Sequence, residues 1–175
     1  IWGLMEMINF AHGEFLMLGM FGAWWFSSTF GLDPLLSIVP VGLVMYGVGV
    51  LIYRLLMRRV QGGDPFTQIF ATVGLLFVLQ NSAVAAFTSD YRFLSGTFLS
   101  RLGGLKIRLL GIDLGVPLLL AGGLAFVVFI ALYFVIDRTE FGLALQATSE
   151  DREAAQLVGI RPRRMFAVAW GLGAG

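Results

Sequence analysis

Three short stretches of this 175-residue sequence gather groups that can bond or carry charge amid apolar neighbours. The first is Met7-Ile8-Asn9-Phe10-Ala11-His12-Gly13-Glu14, where an amide, an imidazole and a carboxylate precede an apolar run. Such groups can hold the polar ends of a small molecule, because ionisable side chains in hydrocarbon are costly and mark either a pathway or a paired structural site. Alternatively, Glu14 caps a helix N-terminus at headgroup level, where the helix dipole favours negative charge. If residues 6–13 are helical, Glu6, Asn9 and Gly13 share one face. The second stretch is Gln80-Asn81, in the middle of an uncharged run. Uncharged amides there either hydrogen-bond across helices or line a substrate route. Asn9, His12, Glu14, Gln80 and Asn81 are therefore the candidates for a pathway.

The third stretch, Asp137 to Arg164, carries five basic and five acidic residues. Its centre is punctuated as a short helix. Thr148 with Asp151 three residues on forms a loose capping box, Gly159 suits a left-handed position past a C-terminus, and Pro162 follows. On that helix Asp151, Ala154, Ala155 and Val158 line one side, while Arg152, Glu153 and Gln156 occupy the other. Small residues on one face let a second surface approach closely; the plain alternative is a solvated connector.

The elements that must position these groups follow from where charge is absent. Phe15–Leu32, Leu35–Tyr53, Ile69–Ser89 and Leu114–Ile136 are uncharged over 18, 19, 21 and 23 residues. A helix of about 20 residues crosses a ~30 Å hydrocarbon core. Runs of this length without alternation favour helices over a barrel, so the fold class is all-α, a polytopic transmembrane helical bundle. The first run is closed by Ser27, Ser28 and Thr29, which leaves a core too short to span alone unless the helix reaches back to His12 and Glu14, or forms a half-helix meeting a broken segment. Glycines at 42, 47, 49, 122, 123, 171 and 175 would let helices approach closely.

Composition agrees. Hydrophobic residues make up 58% of the chain and charged residues 13%, about half of what a soluble domain carries. Mean hydropathy is +0.85, which excludes an ordinary cytosolic enzyme. A net charge of +1 gives no footprint for nucleic acid, and zero cysteines with one histidine exclude thiolate chemistry and make a zinc site implausible. His12 and Glu14 have no nucleophile near them in sequence, which argues against an intramembrane enzyme. Eight arginines (54, 58, 59, 138, 152, 161, 163 and 164) fall on one side of the spans, against Arg92, Arg101, Lys106 and Arg108 on the other. The first side is assigned to the cytoplasm by the positive-inside rule. Asp90 to Asp113 then lies outside, and its mixture of Tyr91, Phe93, Phe98, Leu99, Leu102 and Leu105 with charges suits the membrane interface. The chain opens on Ile1 and stops within an apolar run, as an excerpt of a longer chain would.

Asn9 to Glu14, preceded by Met7-Ile8 and followed by Leu16-Met17-Leu18-Gly19, resembles the INFAHGE signature of the integral-membrane permeases of branched-chain amino-acid ABC importers. Gly142 through Ile160, with Ala154-Ala155 and Gly159, resembles the cytoplasmic coupling loop of the same family. The two motifs stand in the family's order, and the resemblance covers most of the chain. It implies that residues 1–175 are part of a multi-pass permease domain in the cell inner membrane, with a coupling loop at 137–164. It further implies a second permease subunit, two ATPase subunits and a soluble substrate-binding protein as partners. Asp151, Ala154, Ala155, Val158 and Gly159 would then sit on or beside the helix that docks on an ATPase. ATP would be hydrolysed by that partner, with no cofactor in this chain. Glu6 and Trp170 depart from the pattern, the latter standing where a smaller or phenyl side chain is expected. Urea and short amides remain alternative cargoes, and a passive channel or structural membrane subunit is the reading from another class.

Overall fold

The computed structural model describes residues 9–31, 33–88, 92, 106–109 and 112–175, of which 106–109 and 112 are described by backbone alone. The chain runs α1 (His12–Phe30), α2 (Pro34–Val60), α3 (Pro65–Phe87), β1 (Lys106–Leu109), β2 (Ile112–Gly115), α4 (Val116–Arg138), α5 (Glu140–Glu150), α6 (Arg152–Leu157) and α7 (Pro162–Ala174). Proline opens α2, α3 and α7, where its missing N–H is not needed and its fixed φ suits the first turn. Gly31, at φ 65°, ends α1. Asp33 then caps α2 by accepting from Leu35 N–H at 3.1 Å.

Three helices are long and apolar enough to cross a membrane: α2, α3 and α4. They coincide with three of the four uncharged runs. The other run forms α1, 19 residues that begin at His12. Its first turn holds His12 and Glu14, so the helix reaches back to the two ionisable residues and stops there. Residues 9–11 form a turn, so Asn9 does not join Gly13 on a helical face, and Glu6 lies outside the described residues. The interfacial residues Tyr91, Phe93, Phe98, Leu99, Leu102 and Leu105 also lie outside them. One departure from an all-helical chain is the antiparallel pairing of β1 with β2, Lys106 opposite Gly115 and Leu109 opposite Ile112.

Packing centres on α2. α7 lies along it and α1 packs beside it. Phe15, Val41, Met45, Tyr53, Met57, Phe166 and Trp170 fill the space between them. The seam of α2 and α7 brings backbone against backbone. A Cβ placed on Gly49 would stand 2.5 Å from the Trp170 carbonyl oxygen and 3.1 Å from Gly171 Cα. Gly42, Gly49, Gly171 and Gly175 thus serve close approach, whereas Gly47, Gly122 and Gly123 face open space. α2 accommodates Pro40 within its length and widens at Tyr53–Met57, where the turns take the looser π geometry. By contrast, no residue of α4 is buried. A helix apolar all round and buried nowhere among the described residues is suited to lipid or to another membrane helix.

Candidate functional site

The start of α1 is built by Asn9. Its Oδ1 accepts from Ala11 N–H at 3.0 Å, a side-chain turn that aims the chain into the helix. Asn9 Nδ2 is buried without a hydrogen-bond partner among the described residues. Ala11 and Phe15 are buried beneath this turn, and the edge of Phe15 meets Trp170 with centroids 6.5 Å apart. His12 is exposed and Glu14 half-buried in the first turn, where a carboxylate complements the N-terminal dipole.

Gln80 and Asn81 are both exposed on α3. Asn81 Nδ2 donates to the Phe77 carbonyl of its own helix at 2.8 Å, and among the described residues it makes no bond across helices. Phe21 of α1 stacks on Phe87 of α3 at 4.7 Å, and Arg92, which donates to the Phe87 carbonyl, lies over the Trp24 ring at 4.6 Å. These contacts bring the middle of α1 against the C-terminal end of α3. Of the five pathway candidates, Asn9, His12 and Glu14 gather at the start of α1 and Gln80 and Asn81 lie on the exposed surface of α3, with no hydrogen bond or ion pair joining the two groups among the described residues.

The segment between α4 and α7 is a folded corner rather than a loose connector. Thr139 caps α5, its Oγ1 accepting from Gly142 N–H at 3.2 Å and donating to the Val135 carbonyl. Gln146 Nε2 donates to the Ile136 carbonyl at 3.2 Å and ties α5 back to α4. A Cβ on Gly142 would overlap the Ile136 carbonyl, so only glycine allows this close turn. Thr148, the expected start of the short helix, is instead buried inside α5, where its hydroxyl donates to the Ala144 carbonyl. Asp151 performs the capping, its Oδ1 accepting from the N–H groups of Glu153 and Ala154 at 2.9 and 3.0 Å. A cap of this kind contributes about 1 kcal/mol. The helix ends as its sequence indicated. Gly159 takes φ 86°, Gly159 N–H donates to the Gln156 carbonyl, and Ile160 N–H donates to the Ala155 carbonyl, a Schellman closure.

The faces of α6 differ from the helical-wheel reading. Ala155 is 3% exposed and turned inward, with Arg152 one turn before it lying over the Phe166 ring at 4.8 Å. Asp151, Ala154, Val158 and Gly159 are exposed, so four of the five residues reach solvent and the fifth packs within the chain. The reason is length: a six-residue helix has room for a single inward turn, and Ala155 occupies it. The most prominent apolar residues are Leu157 and Val158, 89% and 76% exposed. Val158 borders a cleft of about 620 Å3 that also takes in Leu143, Ala144 and Ala147 of α5. Leu157 was not singled out from sequence, although two large apolar residues just before a helix-ending glycine, in a strongly charged segment, are a legible signal of a contact surface.

Comparison with known proteins bears on what such a corner serves. The family model described as the permease component of the branched-chain amino acid transport system matches residues 1–175. Among curated relatives, the high-affinity branched-chain amino acid transport system permease protein BraD of Pseudomonas aeruginosa is 28% identical over 189 residues. LivH of Escherichia coli K12, of the same description, is 25% identical over 182 residues. A probable LivH permease of Methanocaldococcus jannaschii is 23% identical over 164 residues. The first two alignments take in 99% of this chain and 59% of the relative, so the chain spans a little over half the length of the proteins it matches. No solved structure matches significantly. A whole-length family match, a bundle with three helices long and apolar enough to cross a membrane, and a capped corner between α4 and α7 lead to one conclusion: the chain belongs to the branched-chain amino acid transport permease family.

Proposed function

We propose that this chain forms the core of a membrane permease in an ATP-driven importer of branched-chain amino acids, seated in the cell inner membrane. In this reading it works with a second permease subunit, ATPase subunits and a soluble substrate-binding protein. The observation that carries it is α6: a short helix capped at both ends, held on the membrane bundle through Ala155 and Arg152, and presenting Leu157 and Val158 outward. A rigid apolar tip in a charged surrounding is what an ATPase groove would grip, and closure of the ATPase pair would then move α5 and α6 together with the helices they are tied to. ATP hydrolysis belongs to the partner. Asn9, His12 and Glu14 at the start of α1, with Gln80 and Asn81 on α3, are the groups that would meet the charged ends of an amino acid, and the apolar faces of α1 and α3 suit its aliphatic side chain.

The test is the full-length permease carrying Leu157→Asp and Val158→Asp, reconstituted with its ATPase and binding protein. We expect ATPase co-purification to fall and uptake of labelled leucine to drop at least tenfold, because two charges would enter an apolar contact. Uptake at the normal rate with the ATPase still bound would refute the docking role. ATP-independent flux of leucine would favour a passive channel, and uptake of labelled urea or acetamide in place of leucine would reassign the cargo.

A further inference from the structure

A second polar feature lies apart from the pathway residues and from the outward tip of α6. Where α2 ends and α7 begins, a cleft of about 790 Å3 is bordered by Arg54, Arg58, Arg161, Arg163 and Arg164. A smaller cleft of about 240 Å3 shares Arg58 and Arg163 with it and adds Arg152. No carboxylate among the described residues lines either cleft. Among the described residues none of the five arginines bordering the larger cleft forms an ion pair. All five arginines are exposed, so water screens part of their mutual repulsion, and an anion held between them would relieve the rest. The first turn of α7 adds its own positive end, since no side chain caps it.

The depth of the cleft identifies the anion. The uncharged run of α2 ends at Tyr53, whose hydroxyl is bonded to Gln61 at 2.6 Å, and Arg54 and Arg58 follow directly and one turn later. On α7 the arginines at 161, 163 and 164 precede the apolar residues from Met165 onward. Both rows of charge therefore stand at the boundary between hydrocarbon and water, the level at which lipid phosphates lie. By the excess of arginine on this side, the boundary is the cytoplasmic one, whose leaflet is anionic. Guanidinium groups match phosphate oxygens in a paired, planar geometry, which a choline headgroup's own cation would oppose.

We propose that this cleft binds the phosphate of an anionic phospholipid, which links the end of α2 to the start of α7. Because Gln156 of α6 and Gly159 just past its end also border the cleft, the bound lipid braces the α6 corner from its membrane side. The proposal rests on the membrane setting of the chain and is independent of the cargo.

The experiment is native mass spectrometry of the full-length permease in dodecyl maltoside, titrated with phosphatidylglycerol or phosphatidylcholine, with the melting temperature of the wild type followed in parallel. Phosphatidylglycerol should be retained at least tenfold better than phosphatidylcholine and should raise the melting temperature. The double variant Arg58→Gln, Arg163→Gln should bind phosphatidylglycerol roughly 30-fold more weakly, since each arginine near an anionic surface contributes about a factor of five. Arg138→Gln, outside the cleft, should leave binding unchanged. Equal retention of the two lipids, or full retention by the double variant, overturns the proposal. If inorganic phosphate raises the melting temperature as much as phosphatidylglycerol does, the site takes a free anion and the lipid assignment fails. Should the double variant not purify, the wild-type titrations with lipid and phosphate decide the matter.

Discussion

Replacing Gly49 with alanine tests the backbone seam between α2 and α7. A methyl group there would sit 2.5 Å from the Trp170 carbonyl oxygen, 2.7 Å from Ala174 Cβ and 3.1 Å from Gly171 Cα. None of these can swing away, because two are backbone atoms and the third is fixed to its backbone. The helices would have to part by about 1 Å to restore ordinary contact, and a gap of that size forfeits a quarter to a half of the dispersion energy along the seam. Overpacking of this type costs about 1–3 kcal/mol. Alanine also gains roughly 1 kcal/mol of helix propensity over glycine, so the fair reference is Gly47→Ala on the same helix, where a methyl group meets open space. The two variants should differ by about 2 kcal/mol, with Gly49→Ala the less stable, or several degrees in melting temperature. Thermal unfolding of both full-length variants in detergent measures the difference. Gly171→Ala should cost less than Gly49→Ala, since it presses on the side chains of Tyr46 and Val50, which can rotate. Equal stability of the Gly49 and Gly47 variants would refute the close-contact reasoning.

Two further outcomes follow from other contacts. Gly142→Ala should open the α4–α5 corner, because its methyl group cannot coexist with the Ile136 carbonyl; limited proteolysis at residues 139–146 should quicken at least several-fold, and unchanged cleavage would count against the corner as described. Trp170 is fully buried with Nε1 unbonded among the described residues, so Trp170→Phe removes an unpaired donor as well as volume and should change stability by no more than about 1 kcal/mol, whereas Trp170→Ala should cost about 3–5 kcal/mol in the same unfolding assay.

Much of the architecture was legible because lipid imposes a blunt rule: no charges over about 20 residues. That rule located α2, α3 and α4; the run at Phe15–Leu32 satisfies it too and was set apart by Ser27, Ser28 and Thr29. The end of α6 was equally legible, since a left-handed residue followed closely by proline leaves few options besides Gly159 and Pro162. Its start was not, because Thr148 and Asp151 are both capable caps three residues apart. A threonine inside a helix can return its hydroxyl to the carbonyl four residues back, as Thr148 does to Ala144, and so frees the aspartate to cap. Glycine content announced close packing but not its place. Gly47 and Gly49 point to different sides of one helix, and only the position of α7 tells which is used. The pairing of Lys106–Leu109 with Ile112–Gly115 was hidden by the mixture of charges and leucines, which reads as well as an interfacial coil. Composition of the 137–164 segment suggested a docking face of small residues; the six-residue length of α6 turned Ala155 inward and left Leu157 as its most exposed apolar side chain. Among the pathway candidates, residue type flagged five polar groups, which the fold divides between the start of α1 and the exposed surface of α3.

The attachment of α4 has a mechanical meaning. Among the described residues this helix makes its main contacts at its two ends, through the β2 junction and through the Thr139 corner, and none of its residues is buried along its length. Its 23 residues make a rod of about 34 Å. A tilt of about 10° about the Thr139 corner would sweep the opposite tip through roughly 6 Å, so a shift at α5 too small to disturb the packed helices is magnified at the other side of the bilayer.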